Sequence, residues 1–221
     1  MVSPGPTVMD LRGADIDSMD LGGVADHVRG GGLAAYPTET VYGLGGLCTP
    51  KAVARLRALK RREPEKPFIA VVRGVDDVAG LSWTAEAREL ARIFWPGALT
   101  LVLGDPDGVF PPGVRSPAGS VAVRVSPHPL VARLLAAVAA PLTSTSANVP
   151  GESPARSGTE ALEVARTLGA GPEMWVLDAG TLPPSGPSTV IDCTNARCVV
   201  IREGTVPLGR LRCVLPEIHG R

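Results

Sequence analysis

The chain has 221 residues, balances 22 Lys and Arg against 22 Asp and Glu, and is 44% hydrophobic with only 4% aromatic residues. That length serves one large domain or two small ones, with a core built from Ala, Val and Leu. A formal net charge of zero argues against a dedicated nucleic-acid binder but leaves room for a local basic patch, and three His and four Cys without a C-x-x-C pair argue against a zinc site.

Residues 1 to about 17 are rich in Pro, Gly and Asp and read as an extended or frayed lead-in. A weak helical pattern over 17–29 is closed by Gly30-Gly31-Gly32. Residues 33–36 form a buried strand, and Pro37, with no N–H to donate, is expected to end its ladder. Directly behind it stand Thr38, Glu39 and Thr40, then Gly43 and Gly45. Small hydroxyl residues after a strand are well placed for a ligand, because α/β sheets bind outside that edge. Residues 51–60 repeat apolar residues at helical spacing (Val53, Leu56, Leu59), and Pro50 suits the first turn. Residues 68–72 read as a strand, 85–94 as a helix stopped by Trp95-Pro96-Gly97, and 99–103 as a strand.

Residues 120–125 alternate as a strand but contain Arg124. A helix over 130–139 and a short strand over 141–143 lead into Ser144-Thr145-Ser146-Ala147-Asn148. A helix over 160–168 and a strand over 175–177 follow. A strand pair over 188–192 and 198–201 turns at Thr194-Asn195, and 208–215 is a weak terminal helix. Residues 151–158 and 180–188 read as surface loops. Strands and helices intermix without a repeat or long linker, which predicts one α/β domain over 18–215 with a short tail over 216–221. No apolar run approaches the roughly 20 residues that span a bilayer. With no signal peptide visible, the four cysteines are expected to be reduced thiols of a cytoplasmic protein.

No phosphate loop, no G-x-G-x-x-G and no G-x-S-x-G elbow is present. Three polar groupings remain. Arg55, Arg57, Lys60, Arg61, Arg62 and Lys66 crowd the end of one helix. They complement its dipole, and as a group they exceed what capping requires. Lys60 and Arg62 are two apart, so they converge on one ligand only if the helix ends near Lys60, which Pro64 and Pro67 favour. A Lys point charge beside an Arg fork suits a polyphosphate. Ser144, Ser146 and Asn148 fit a turn or helix cap, or a polar nest for a ribose, phosphate or amino-acid head group. Arg124 and Arg202, each in or closing an apolar run, must pair with a carboxylate or face an anionic ligand.

These segments together resemble the YrdC family. The resemblance rests on Tyr36-Pro37-Thr38-Glu39-Thr40-Val41-Tyr42-Gly43-Leu44-Gly45, Lys60-x-Arg62, Ser120-Val121-Ala122-Val123-Arg124, Ser144-Thr145-Ser146-Ala147-Asn148, Pro187-Ser188-Thr189-Val190-Ile191-Asp192 and Ile201-Arg202-Glu203-Gly204, in that order, over about residues 18 to 210. It implies a single domain with a twisted mixed sheet flanked by helices and a deep basic cavity on one face. It also implies an enzyme that joins L-threonine, bicarbonate or CO2, and ATP into threonylcarbamoyl-adenylate and pyrophosphate. That product feeds modification of the adenosine next to the anticodon in tRNA. By motif, Thr38, Arg124, Ser144 and Ser188 would meet threonine. Lys60, Arg62, Ser120, Ser146, Asn148, Ser153 and Arg202 would serve the nucleotide, with Lys60 and Arg62 on the phosphates. Mg2+ would arrive with ATP rather than in a protein metal site. Downstream tRNA threonylcarbamoyl-transferase proteins are the implied partners, with direct tRNA contact weak.

The sequence departs from the pattern at Lys66, where many members carry Asn, and at Val71, where some carry His. The C-terminal domain of longer members is not expected in these residues. Alternatives within the fold are a YciO-type paralogue and a carbamoyl-transfer domain of hydrogenase maturation proteins. From another class comes an RNA-binding module, which zero net charge and few aromatics oppose.

Overall fold

The structure, a computed structural model, describes residues 4–220. In chain order the strands are β1 (Thr7–Asp10), β2 (Leu33–Pro37), β3 (Tyr42–Gly45), β4 (Ile69–Val71), β5 (Leu99–Gly104), β6 (Ser120–Arg124), β7 (Leu142–Ser146), β8 (Met174–Asp178), β9 (Thr189–Asp192), β10 (Val199–Arg202) and β11 (His219–Gly220). The helices are α1 (Gly22–Arg29), α2 (Pro50–Lys60), α3 (Ala85–Phe94), α4 (Pro129–Val138), α5 (Gly158–Thr167) and α6 (Leu208–Arg212). The strands join in one mixed sheet in the order β1-β8-β2-β3-β7-β4-β6-β5-β9-β10-β11.

Alternation along β2 sets the two faces of the sheet. Leu33 and Ala35 enter one apolar cluster, whereas Ala34 and Tyr36 enter the other. Helices α1 and α4 cover the second face with Val24, Val28, Leu130 and Leu134. Helices α2, α3 and α5 cover the first with Leu56, Leu90 and Ala161. A fully buried Leu such as Leu56 contributes about 1.5–3 kcal/mol relative to exposure. Four of the helix starts have an evident local cause. The hydroxyls of Thr84 and Ser157 accept from the N–H groups of Ala87 (3.0 Å) and Glu160 (3.1 Å), opening α3 and α5. Pro occupies the first turn of α2 and of α4. Among the described residues no helix is long and apolar enough to cross a membrane.

Four expectations change. Pro37 does not end its ladder but pairs with Tyr42 across the β2–β3 hairpin. The N–H of Tyr42 goes to the Ala155 carbonyl (2.9 Å), so the pair needs no donor from proline. Residues 42–45 form β3, which the sequence did not announce because glycine disfavours strands. Glycine is required there by close approach, since a Cβ on Gly45 would collide with the Thr143 carbonyl. The Ser-Thr-Ser run is not a turn or cap but the end of β7, with Thr145 paired to Leu44 and Ser144 to Ile69. Finally, residues 7–10 of the expected lead-in pair in parallel with β8 from Thr7↔Trp175 to Asp10↔Asp178, and His219–Gly220 of the expected tail pair with β10. Residues 1–3 and 221 of those two segments lie outside the described residues.

Candidate functional site

A cavity of about 540 Å³ opens where β2, β6 and β7 end and β10 closes back on the sheet. The β2–β3 turn supplies Thr38 and Thr40, β6 supplies Arg124, β7 supplies Ser144 and Ser146, and β10 supplies Arg202. Arg62 follows α2, and the segments 149–157 and 180–188 add Ser153, Arg156 and Ser188. Four arginines and no carboxylate stand among the lining residues. A second chamber of about 310 Å³, lined by Lys60, Arg61, Arg62, Glu63, Lys66, Ser146 and Asn148, shares Arg62, Thr145 and Ser146 with the first.

Local folding explains why these groups meet. Thr38 builds the hairpin turn: its hydroxyl donates to the Val41 carbonyl (2.7 Å) and accepts from the N–H groups of Thr40 and Val41 (both 3.3 Å). Its oxygen also lies 3.0 Å from the Thr40 hydroxyl. Helix α2 stops at Lys60 because Arg61 adopts the left-handed conformation (φ 47°, ψ 40°). Lys60 is thus the last helical residue, and the turn takes Arg62 out of the helical course to the wall both cavities share. There the Arg62 Nε donates to Lys66 O (2.9 Å), its Nη2 donates to Pro67 O (2.9 Å), and its guanidinium lies 5.1 Å from the Phe68 ring centre.

Lys60 is only 6% exposed. Its ammonium donates to the carbonyls of Ser146 (3.1 Å) and Asn148, and to Asn148 Oδ1 (3.0 Å). All three protons therefore have protein acceptors, and Lys60 clamps the loop after β7 while placing its charge on the chamber wall. Burial, with Arg62 adding to it, lowers its pKa to about 8. Asn148 braces the same loop, because its amide nitrogen donates to Val149 O (2.9 Å) and Glu152 O (3.1 Å) while its oxygen also accepts from Ser146 Oγ (2.7 Å).

Arg124 is 8% exposed and makes an ion pair with Glu39. Its Nη2 also donates to Thr40 Oγ1 at 3.4 Å. Burial holds its pKa down to about 10, so it remains a cation at neutral pH. Arg202 reaches across its own hairpin to Ser188, donating from Nη2 to the carbonyl (2.9 Å) and the hydroxyl (3.3 Å). The Ser188 hydroxyl is also 3.0 Å from that of Thr100. Burial lowers the pKa of both Arg62 and Arg202.

Ser120 is not brought to the cavity. It starts β6, at the opposite end of the strand from Arg124, and its hydroxyl is 2.8 Å from that of Ser116. Asn148 and Lys60 belong to the smaller chamber alone. Among the lining residues that the motifs leave without a role are Thr40 and Arg156. Thr40 lay inside the motif already singled out. Arg156 lay in a segment that reads as surface loop, yet its Nη2 donates to Leu182 O (2.9 Å), tying together the two segments that close the cavity. No local signal marks such a long-range bond. The site offers fixed cations and hydroxyl donors, which suits binding and orienting anions next to a small polar head group.

Comparison with known proteins places the chain in a family. Residues 26–204 match the family model Sua5_yciO_yrdC, described as "Telomere recombination". The chain is 36% identical over 198 residues to the threonylcarbamoyl-AMP synthase of Pyrococcus abyssi, covering 88% of this chain and 57% of that protein. It is 40% identical over 177 residues to the threonylcarbamoyl-AMP synthase of Chromohalobacter salexigens, covering 76% and 91%. The crystal structure of P. abyssi Sua5 complexed with L-threonine superposes with a TM-score of 0.86 at 31% identity, over 97% of this chain and 62% of that one. The chain thus spans less than two thirds of the archaeal relative and nearly all of the shorter bacterial one.

Proposed function

We propose, because the chain belongs to the Sua5–YciO–YrdC family, that it condenses L-threonine, bicarbonate or CO2, and ATP into threonylcarbamoyl-adenylate and pyrophosphate. The observation that carries this reading is a pair of cavities that share Arg62, Thr145 and Ser146 in their walls. A hydroxyl-rich cavity around Arg124 lies on one side of that wall and a cationic chamber beside Lys60 on the other.

In this reading Arg124 holds the threonine carboxylate, with Thr38, Ser144 and Ser188 around the rest of the amino acid. Arg62 and Arg202 face the phosphates, Ser146 and Ser153 the nucleotide side, and Lys60 and Asn148 fix the loop that carries Ser146. Ser120 takes no part. The threonine nitrogen attacks CO2, forming an N–C bond and releasing a proton. A carbamate oxygen then attacks the α-phosphorus of ATP, and the bond to the pyrophosphate oxygen breaks. The protein's contribution is to align carbamate and phosphate and to spread the developing charge over fixed guanidinium groups. Among the described residues no group of three or more His, Cys, Asp or Glu forms a metal cage. Mg2+ would be carried by the ATP phosphates, neutralising them on entry. The product would pass to a transferase acting on the adenosine next to the anticodon, in the cytoplasm where ATP, threonine and tRNA are all present.

Mass spectrometry of a reaction holding the purified protein, L-threonine, bicarbonate, Mg2+ and ATP tests the reading. The expected result is an adenylate that requires both threonine and bicarbonate, with pyrophosphate released and a weaker product from serine. ATP binding without any such product would contradict it.

A further inference from the structure

We infer that Glu39 is the positioning residue for Arg124: a carboxylate that touches no substrate but fixes the guanidinium plane on which the amino-acid carboxylate lands. The inference rests on the reading that Arg124 receives that carboxylate. Arg124 ends β6 in an apolar strand, where a lone charge is costly. Its partner comes from the distant β2–β3 turn, and both side chains are largely withdrawn from solvent, 9% and 18% exposed. Glu39 is itself held from behind. Its Oε2 accepts from the Ser126 hydroxyl at 2.7 Å, and the Ser126 oxygen accepts from the His128 N–H at 3.2 Å. His128 is the residue that caps α4, so the chain of bonds runs from a helix end through Ser126 and Glu39 to Arg124.

Three features give this chain a purpose beyond packing. The Arg124 hydrogen bond and ion pair both fall on Nη2, toward Glu39 and Thr40. Its Nε is buried with no partner, so the guanidinium keeps donor capacity for a ligand. Arg124 lines the cavity whereas Glu39 does not. Glu39 engages Arg124 through one oxygen and Ser126 through the other, which sets it up as an orienting group rather than a proton acceptor for substrate. Such outer-layer carboxylates commonly fix the orientation of the group that does bind.

The test is calorimetric titration of L-threonine, and separately of ATP, into the wild-type protein and the variants Glu39→Gln, Glu39→Asp and Ser126→Ala, with KM for each substrate and a thermal melt for every variant. Glu39→Gln is expected to bind threonine roughly tenfold to a hundredfold more weakly. Its ATP affinity should stay within about twofold of wild type. Glu39→Asp should recover part of the loss, and Ser126→Ala should show a smaller loss of the same kind. Glu39→Gln binding threonine as well as or better than wild type would overturn the inference, as would proportional loss of both substrates. If Glu39→Gln does not fold, Ser126→Ala decides: unchanged threonine affinity overturns the inference. Wild-type protein that binds ATP but no threonine would sink the functional reading and the inference together, whereas wild-type threonine binding with an unaffected Glu39→Gln sinks the inference alone.

Discussion

At the Lys60 end of the cavity, cations crowd the wall: Lys60, Arg61, Arg62 and Lys66 face a single carboxylate, Glu63. Glu63 is paired with Lys66 at 2.7 Å in an exposed bridge. At the other end Arg124 itself is compensated by Glu39 behind it, with the hydroxyls of Thr38, Thr40, Ser144 and Ser188 around it, while Arg156 and Arg202 also line that cavity. The two ends hold their cations by different means as well. Lys60 is fixed by backbone carbonyls and an amide oxygen, so its full charge is uncompensated. Arg124 is fixed by a carboxylate, so its charge is shared. An excess of fixed positive charge suits a polyanion. A compensated cation ringed by hydroxyls suits a zwitterion, because it can receive the carboxylate while repelling the neighbouring ammonium group less.

The contrast breaks most visibly at Lys60. Lys60→Ala removes the chamber's buried charge and leaves the Ser146 and Asn148 oxygens without their donor. Activity is expected to fall by roughly tenfold to a hundredfold or more, with ATP affinity lost before threonine affinity. Steady-state kinetics with each substrate varied would show this, and an equal loss for both would erase the distinction between the ends. The wild-type chamber should also lose ATP affinity as pH rises through about 8, because burial has brought the Lys60 ammonium down to that range. The sign is fixed by the chemistry: below that pH the group is charged and attracts phosphate, and above it the group is neutral. Lys60→Met should lack this limb.

Ser120 sharpens the comparison from the other side. Its place at the far end of β6 predicts that Ser120→Ala leaves both KM values and kcat within about twofold of wild type. Ser188→Ala, on the wall of the threonine end, should raise KM for threonine several-fold, by about 1 kcal/mol of lost hydrogen bonding. A further effect concerns neither end. Ala139 closes α4 in the left-handed region (φ 58°), which an L residue adopts at a cost. Ala139→Gly should stabilise the fold by about 0.5–1 kcal/mol without changing either substrate's affinity, as denaturant unfolding would show.

Much of this was legible in the chain, and the failures have physical causes. Helix α3 falls where Thr84 and Trp95-Pro96 bracket an apolar period, because its start and stop are both local. Strands β4, β5 and β6 coincide with apolar runs that the sheet buries. Strand β3 was hidden because its glycines answer to Thr143 and Ser144, far along the chain, rather than to strand propensity, and β1 because a mostly exposed edge strand carries little pattern. The site motifs marked most of the residues that line the cavity. Ser120 stands apart from the cavity lining because adjacency in a motif is not adjacency in space: four residues along a strand span roughly 13 Å. The Glu39–Arg124 pair and the Arg156 tie depend on the closing of the sheet, and no local pattern encodes either.

The most direct test of the central claim, that the two ends read different substrates, is a crossed titration. L-threonine and ATP are each titrated by calorimetry into wild type, Arg124→Lys and Lys60→Met. The account predicts that Arg124→Lys weakens threonine binding roughly tenfold or more and spares ATP, because an ammonium cannot reproduce the guanidinium's geometry. Lys60→Met should do the reverse. Parallel losses of both ligands in both variants would contradict it, and would mean that the cavity recognises its substrates as one undivided field of charge.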